Sequence, residues 1–189
     1  YFARKKDGQI NKMKAIKLIY FADRYHMRKY GRPVVGDTYL AMKWGPVGSI
    51  LLDTANLSKE NLSKEHLKYV QGFLAHPKGD TELQEIVSKD EVDVGVFSNT
   101  DIEALETAFK EFGDKDQFEL AKITHIYPEW AKHKSELDKG RRQIPMNYAD
   151  FFSNPKSGGS SIFELPEEHI NLIKEVFQED RGIASVVLN

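Results

Sequence analysis

The stretch IKLIYFADRYHMRKYGRPVVGDTYLAMKWGPVG, residues 16–48, decides how the rest of the chain is organised. On a helical wheel with about 100° per residue, its first half has one apolar line that begins at Ile16 and a second apolar strip roughly opposite. A narrow basic strip between them contains Lys17, Arg24 and Arg28. A helix that is apolar on two faces is typical of a central helix packed on both sides. Gly31 and Pro33 predict that it ends near Tyr30.

Asp23 is unusual because it stands on the first apolar line, three residues after Tyr20. An ionised carboxylate in an apolar setting costs several kcal/mol unless it is paired or hydrogen-bonded. His26 follows one turn later, so the two side chains can touch. They could form an acid/base pair, or Asp23 could be a structural clasp that accepts hydrogen bonds from a nearby backbone, Lys or Trp N–H group. We favour the clasp, because single buried carboxylates are more often structural than catalytic.

The same stretch resembles the bacterial Panacea domain family, also described as SocA-like or phage-associated GepA-like. The family pattern is a K-L-x-Y-F-A-D helix with a His shortly after, a Gly-x-Pro stop, an Asp and an A-x-K-x-G-P-V turn. This chain carries the pattern at residues 17–23, His26, residues 31–33, Asp37 and residues 41–47, and the turn includes Lys43, Trp44, Gly45 and Pro46. A weaker echo is Thr124-His125 followed by Trp130. Together these matches cover about residues 11–134.

Length and composition bound the class of protein. A chain of 189 residues is one domain, or one domain with an extension. The absence of cysteine excludes disulfides, zinc–thiolate sites and thiol catalysis, and it fits a reducing cytoplasm, where we expect the protein. No apolar run approaches the ~20 residues that a membrane span requires, so we expect no membrane partner.

The charge is unevenly distributed, although the net charge is only −2. The first 32 residues contain ten Lys or Arg against Asp7 and Asp23. Such an end could meet nucleic acid or an acidic partner, or its charges could solvate helix faces and pair with the acidic remainder. We favour the second interpretation and expect no direct nucleic-acid binding, because no aromatic-interleaved basic ribbon accompanies the charges. Where they are exposed, they should make partner association sensitive to salt.

The remaining pattern predicts an α+β fold, a predominantly helical single domain with a small antiparallel three-stranded sheet. A strand is expected at residues 38–43, and a turn at Trp44 then places Pro46 at the first position of a helix over 47–55. Two further strands, 83–87 and 92–97, are expected as a hairpin. Other helices are predicted at residues 63–74, 101–112, 116–124 and 128–137.

The chain divides, on this interpretation, into a Panacea-like domain over residues 1–138 and a C-terminal extension over 139–189. The extension has a flexible loop, NPKSGGSS, an amphipathic helix over 166–180 and a β-prone apolar tail over 183–188. Because partners vary within the family, we expect the extension to contribute to partner binding. Truncation after Asn154 should then leave a folded domain that no longer binds. The candidate partner-binding residues are Ile170, Ile173 and Phe177, and, near the turn, Trp44, Val47 and Ser49.

No pattern in the chain indicates a catalytic or metal site. The six His residues lack HExxH-like spacing, and neither a phosphate-binding loop nor a G-x-S-x-G elbow is present. Trp44 and Trp130 are expected in the core or at its edge. A polar pocket could still form if Asp23, Asp37, His26 and His125 converge. We expect no metal and no cofactor.

The resemblance implies an antitoxin of a bacterial or prophage toxin–antitoxin pair. Such a protein is not an enzyme, and it neutralises a toxin encoded nearby by direct protein–protein binding. The family pairs with many unrelated toxins, so the resemblance points to no particular toxin and no oligomeric state. Two alternatives are a proteolytic adaptor that delivers a toxin to a Clp-type protease and a hydrolase that uses Asp23 and His26.

Overall fold

The computed structural model describes residues 1–79 and 84–187. Eight α-helices lie in these ranges: α1 (Lys12–Tyr30), α2 (Ser49–Asn56), α3 (Lys64–Phe73), α4 (Asn99–Phe112), α5 (Gln117–Thr124), α6 (Pro128–Ala131), α7 (Lys134–Asp138) and α8 (Glu167–Val187). Six short strands accompany them: β1 (Gln9–Asn11), β2 (Tyr39–Met42), β3 (Gly45–Gly48), β4 (Leu74–Ala75), β5 (Glu85–Ser88) and β6 (Gln143–Pro145). Short 3-10 turns lie at Arg4–Lys6, Val94–Val96, Tyr148–Phe152 and Ser161–Phe163. The predicted α+β class, predominantly helical, is confirmed.

Helix α1 is the centre of the fold, as its two apolar faces predict. Helix α4 packs along it, and α5, α8 and β3 contact its other sides. The Asn11 side chain caps its start by accepting a hydrogen bond of 3.1 Å from the backbone N–H of Lys14. Gly31 ends it with a left-handed φ of 77°. The predicted end of the central helix is therefore confirmed.

The strands form two small antiparallel sheets, in the orders β1-β5-β4 and β3-β2-β6, rather than one. In the second sheet β2 is central, with Ala41 opposite Pro46 on one side and opposite Ile144 on the other. The predicted hairpin of residues 83–87 and 92–97 is wrong. Strand β5 pairs with β1 and β4, so both of its edges are occupied. Residues 92–97 instead contain an exposed 3-10 turn, and Leu83 lies outside the described residues.

Pro46 does not begin a helix, which corrects a second prediction. It lies in β3, an edge strand, where a residue without a backbone N–H is tolerated. Helix α2 begins at Ser49 instead. The carboxylate of Asp37 accepts hydrogen bonds from the N–H groups of Ile50 (3.1 Å) and Leu51 (2.7 Å), and this caps the first turn.

The C-terminal segment packs on the same core as α1. Phe151, Phe152, Phe163 and Ile170 belong to the main cluster of buried apolar side chains. The β-prone apolar tail is helical rather than extended, since α8 continues to Val187. Leu188 lies outside the described residues.

Candidate functional site

A broad groove opens beside the turn between β2 and β3, and it has a volume of 1210 Å³. Its floor comes from the first half of α1. The β2–β3 turn and the start of α5 form one side, and α6, α7 and the residues after α7 complete the lining. The side chains that give the groove its chemical character are Lys17, Lys43, Trp44, Phe118, His125 and Trp130, together with Arg142 at the rim. Most of them belong to the sequence motif around residues 16–48 or to its weaker echo.

Gly45 brings the turn close to the floor of the groove. Its φ is 94°, in the left-handed region that L side chains rarely adopt. A Cβ at this position would collide with the Thr124 hydroxyl and stand 3.1 Å from the Lys17 ammonium. The glycine of the motif therefore lets β3 approach α1 and α5 closely.

The two tryptophans have different surroundings. Trp130 is buried, and its indole N–H donates a hydrogen bond of 2.9 Å to the carbonyl of Met42, as expected for a core-edge aromatic residue. Trp44 is 52% exposed, so its predicted place in the core is wrong. It stands at the tip of the turn and packs edge-on against Phe118, which is 49% exposed, with ring centroids 5.8 Å apart. Two exposed aromatic rings therefore form one side of the groove.

Lys17 is a buried cation at the floor of the groove. Its side chain is only 1% exposed, and Nζ donates a hydrogen bond of 2.7 Å to the carbonyl of Pro46. Burial lowers the pKa of the ammonium from 10.5 to about 7. Across the described part of the chain, Lys17 forms no ion pair. Its charge is therefore matched by a single carbonyl dipole.

His125 lies beside Lys17 and stacks on Trp130, with ring centroids 3.6 Å apart and planes 9° from parallel. Burial lowers the pKa of its imidazole to about 4, and the positive charges of Lys17 and Lys134 lower it further. The ring is therefore neutral at physiological pH. Within residues 1–79 and 84–187, its Nε2 atom is buried without a hydrogen-bond partner.

Asp23 and His26 each bind backbone groups rather than each other. Asp23 accepts hydrogen bonds from the N–H groups of Val34 (2.8 Å) and Val35 (3.0 Å) and from the hydroxyl of Tyr39 (2.9 Å). Burial raises its pKa to about 6, against the effect of those three hydrogen bonds. The two nitrogens of His26 contact the Arg32 carbonyl (2.7 Å) and the Thr100 hydroxyl (2.9 Å).

The predicted polar pocket of four residues is therefore wrong. Asp23 and Asp37 hold the connection between α1 and α2, and the Asp37 charge contributes to the raised pKa of Asp23. His26 is buried against the start of α4, and His125 lies in the groove. The acidic side chains serve as acceptors for backbone N–H groups.

A buried ion pair lies further along the basic strip of α1, and the sequence analysis did not find it. Arg24 pairs with Glu129, with both side chains 0% exposed, and Tyr20 donates a hydrogen bond of 2.5 Å to the same carboxylate oxygen. Arg24 also donates to the Ser153 carbonyl at 2.9 Å. One signal was present: a basic strip between two apolar faces has to be buried with them. No local pattern marked Glu129 as the partner.

Arg28 connects α1 to the C-terminal segment. Its guanidinium donates to the carbonyls of Phe163 (2.9 Å), Phe151 (3.0 Å) and Ser153 (3.2 Å) and to the side-chain oxygen of Asn154 (2.6 Å). Burial lowers its pKa to about 10, so it stays charged at neutral pH. The segment after residue 139 is thus attached to the central helix by specific polar contacts.

The basic N-terminal end is not a free charged surface. Lys17, Arg24 and Arg28 are buried, which corrects the expectation that they solvate a helix face. The predicted pairing with the acidic remainder is confirmed by ion pairs of Arg4 with Glu91, Lys5 with Glu106, Lys6 with Asp114, Lys29 with Glu103 and Arg32 with Asp101. The N-terminal end therefore gives little reason to expect salt-dependent association.

The candidate contact residues on α8 face the body of the protein. Ile170 is 7% exposed, Ile173 packs next to Gly31, and Phe177 packs on the ring of Phe152 at 5.5 Å. All three side chains therefore pack against the body of the protein, and their contribution to partner binding stays a prediction. Near the turn, Val47 is buried and lines the groove, while Ser49 donates to Asp37 at 3.2 Å.

This geometry is that of a helical α+β domain with a preformed groove and a set of backbone clasps, and comparison with known proteins gives its family. A family model described as "Antitoxin SocA-like, Panacea domain" matches residues 16–131, more than half of the chain. The chain belongs to this family. No curated protein and no solved structure matches it. Among the described residues, no helix is both long and apolar enough to cross a membrane.

Proposed function

We propose that this protein is an antitoxin that neutralises a protein toxin, encoded nearby, by binding it directly and without catalysis. The family description supports an antitoxin role in general. The matched residues include the floor of the groove, its turn and its aromatic wall, so the region that defines the family also builds the groove.

The observation that carries the proposal is the exposed pair of rings at the groove. Trp44 and Phe118 are each about half exposed and pack edge-on against each other. Large aromatic side chains are the commonest anchors of protein–protein contacts, and leaving them in water is otherwise unfavourable. A partner surface that covers both rings would remove that exposure.

The arrangement of Asp23 and His26 argues for binding rather than hydrolysis. A general acid or base has to reach its substrate, whereas Asp23 is 0% exposed and holds three donors of its own chain. His26 is equally buried and has both nitrogens engaged. We propose that the protein binds its toxin in the cytoplasm, and we do not assign it an active site.

Co-expression of the neighbouring gene with and without this chain tests the proposal, with growth as the readout. Wild type should restore growth, and Trp44→Ala should lose most of the protection. The matched control is Tyr69→Ala on α3, which removes another exposed aromatic side chain (67% exposed) that does not line the groove. Equal protection by both variants would remove the groove from the binding surface. No protection by wild type would refute the antitoxin role itself.

Delivery to a Clp-type protease is the alternative, and it predicts a different lifetime for the toxin. If the protein is an adaptor, the toxin should persist when the protease is deleted, and protection should fail. If binding alone neutralises the toxin, protection should not depend on the protease. Pulse-chase measurement of the toxin in both strains separates the two.

The division into a family body, residues 1–138, and an extension, residues 139–189, stays part of the proposal. The family match ends at residue 131, close to that boundary. Leu172 (59% exposed) and Val176 (43% exposed) lie on the outer side of α8, where a partner could reach them.

A further inference from the structure

We infer that the groove binds an acidic side chain of the partner protein at the Lys17 ammonium, with a neighbouring apolar side chain of the same segment resting on Trp44 and Phe118. This inference rests on the proposed function, since it names the chemistry by which the groove would hold the toxin. It adds a specific anion site to a surface so far defined only by its aromatic rings.

Lys17 carries a buried charge that no carboxylate of the described residues matches. An ammonium has three N–H donors, and this one uses one of them, on the Pro46 carbonyl. A buried cation without an anion is unfavourable, and a carboxylate that entered the groove would match it. Its position at the floor also restricts access to a group carried on a narrow side chain.

The imidazole of His125 gives separate support for an anion site. Its Nε2 atom is buried and has no hydrogen-bond partner within the described ranges, although buried polar atoms nearly always have one. Both side chains line the same groove, and the Lys17 charge contributes to the lowered pKa of this ring. A carboxylate has two oxygens, so it can accept from Lys17 and from the Nε2–H tautomer of His125 together.

The charges at the rim favour an acidic segment. Lys43 and Arg142 are exposed at the groove, and neither forms an ion pair with any carboxylate of the described residues. Among the described residues that line the groove, the acidic one is Asp138, and it is already paired with Lys134 at 2.5 Å. Unpaired positive charge around the opening attracts a negatively charged segment and repels a basic one.

The site predicts that binding takes up a proton. Above pH 7 the Lys17 amine is increasingly neutral in the free protein, and a bound carboxylate would restore its charge. The groups that face it are the Pro46 carbonyl from β3 and His125 from the end of α5, and the Lys134–Asp138 pair of α7 lies behind His125. None of these supplies an unpaired negative charge. Affinity for a carboxylate should therefore fall about fivefold from pH 7 to pH 8, and the fall should approach about tenfold per pH unit at higher pH.

The test uses two terminally blocked tripeptides, Phe-Glu-Phe and its uncharged counterpart Phe-Gln-Phe, titrated into the full chain. The indole N–H resonance of Trp44 reports on binding. We expect Phe-Glu-Phe to bind about tenfold more tightly than Phe-Gln-Phe at pH 7. From about pH 6.5 to about pH 8.5 its affinity should fall roughly twentyfold, while that of Phe-Gln-Phe stays constant. The pH series needs no variant, so it is independent of any folding defect.

Lys17→Met should abolish both the preference for Phe-Glu-Phe and its pH dependence, whereas Lys122→Met, an exposed lysine of α5 outside the groove, should change neither. Equal binding of the two tripeptides, absence of binding by both at millimolar concentration, or displacement by inorganic phosphate more readily than by acetate would overturn the inference. A failed inference with intact growth protection leaves the antitoxin proposal standing. Loss of growth protection in wild type refutes that proposal alone.

Discussion

Two ends of one helix face differ in how they hold a buried positive charge. At one end of the basic strip of α1, Arg24 faces the Glu129 carboxylate and Arg28 donates to four acceptors. At the other end, Lys17 donates to one carbonyl, and no carboxylate of the described residues pairs with it. The same type of residue, buried on the same face, is matched in one region and unmatched in the other.

This difference distinguishes buried cations that stabilise the fold from a buried cation that can bind a partner. A guanidinium presents several donors in a fixed plane, so neighbouring carbonyls can match it permanently and hold two parts of the chain together. An ammonium with one acceptor contributes little to the stability of the fold. Its other N–H donors can bind a ligand. On this argument the arginine end is structural, and the lysine end belongs to the groove.

Removing the anion at the matched end should have the largest effect on stability. Glu129→Gln keeps the shape of the side chain but leaves Arg24 buried without a carboxylate, and this should lower the free energy of unfolding by about 3–5 kcal/mol. Denaturant titration measures it. The same change at Glu136, which pairs with Arg141 at the surface, is the control and should cost less than about 1 kcal/mol. Similar losses in the two variants would contradict the assignment of Arg24 as a matched structural cation.

Asp23 extends the comparison to a buried anion that has donors but no cation. Asp23→Leu removes the acceptor of two backbone N–H groups and the Tyr39 hydroxyl, so it should cost about 3 kcal/mol, at roughly 1 kcal/mol for each donor. Asp23→Asn retains one acceptor oxygen and should cost clearly less. Thermal denaturation of the two variants checks the order. A Leu variant of wild-type stability that has lost all function would show instead that Asp23 acts on a partner.

The approach of the turn to Lys17 depends on Gly45. Gly45→Ala places a methyl group against the Thr124 hydroxyl and strains a φ of 94°, so we expect a loss of about 2–3 kcal/mol. Gly72→Ala is the matched control, because a Cβ there meets nothing within 4 Å in the helix α3. That change should stabilise the protein by roughly 0.5–1 kcal/mol. Two small effects of the same sign would mean that the turn is not held against the floor.

Lys17→Met should have the smallest effect and the opposite sign. Replacing an unmatched buried cation by an apolar side chain of similar length should stabilise the protein by roughly 1–2 kcal/mol at pH 7 or below. The folded pKa of about 7 lies below the ordinary value of 10.5, so the penalty is fully present below pH 7 and is released as pH rises towards 10.5. Wild-type stability should therefore rise in that window, and the variant should lack the rise. A destabilised variant would show that Lys17 is matched after all.

The sequence predicted what depends on local chemistry. Gly31 as a left-handed stop and the two apolar faces of α1 act within a few residues, and both are confirmed. Pro46 misled the interpretation because its fixed φ suits an edge strand as well as the first turn of a helix.

The features that the sequence did not predict depend on contacts between distant parts of the chain. Glu129 forms an ion pair with Arg24, which is 105 residues away in the sequence. Strand β5 pairs with β1 rather than with the segment that follows β5. The exposure of Trp44 likewise follows from where the turn lies relative to α5, which no local pattern encodes. The groove is built from separate regions of the chain. Hydrophobic periodicity, which is a local pattern, therefore could not predict it.

Arg28 has a consequence for a chain that a ribosome makes from its N-terminus. All four of its acceptors lie between residues 151 and 163. During synthesis, Arg28 therefore cannot form these hydrogen bonds until that later segment has been made. A chain stopped before that point carries a buried-type cation with nothing to bind and lacks Phe163 and Ile170 from its core. Truncation after Asn154 keeps three of the four acceptors but removes the Phe163 carbonyl and the core side chains of Phe163 and Ile170, so we expect an insoluble fragment rather than the folded domain expected from sequence. Arg28 thus couples the central helix to a segment that is made more than 120 residues later.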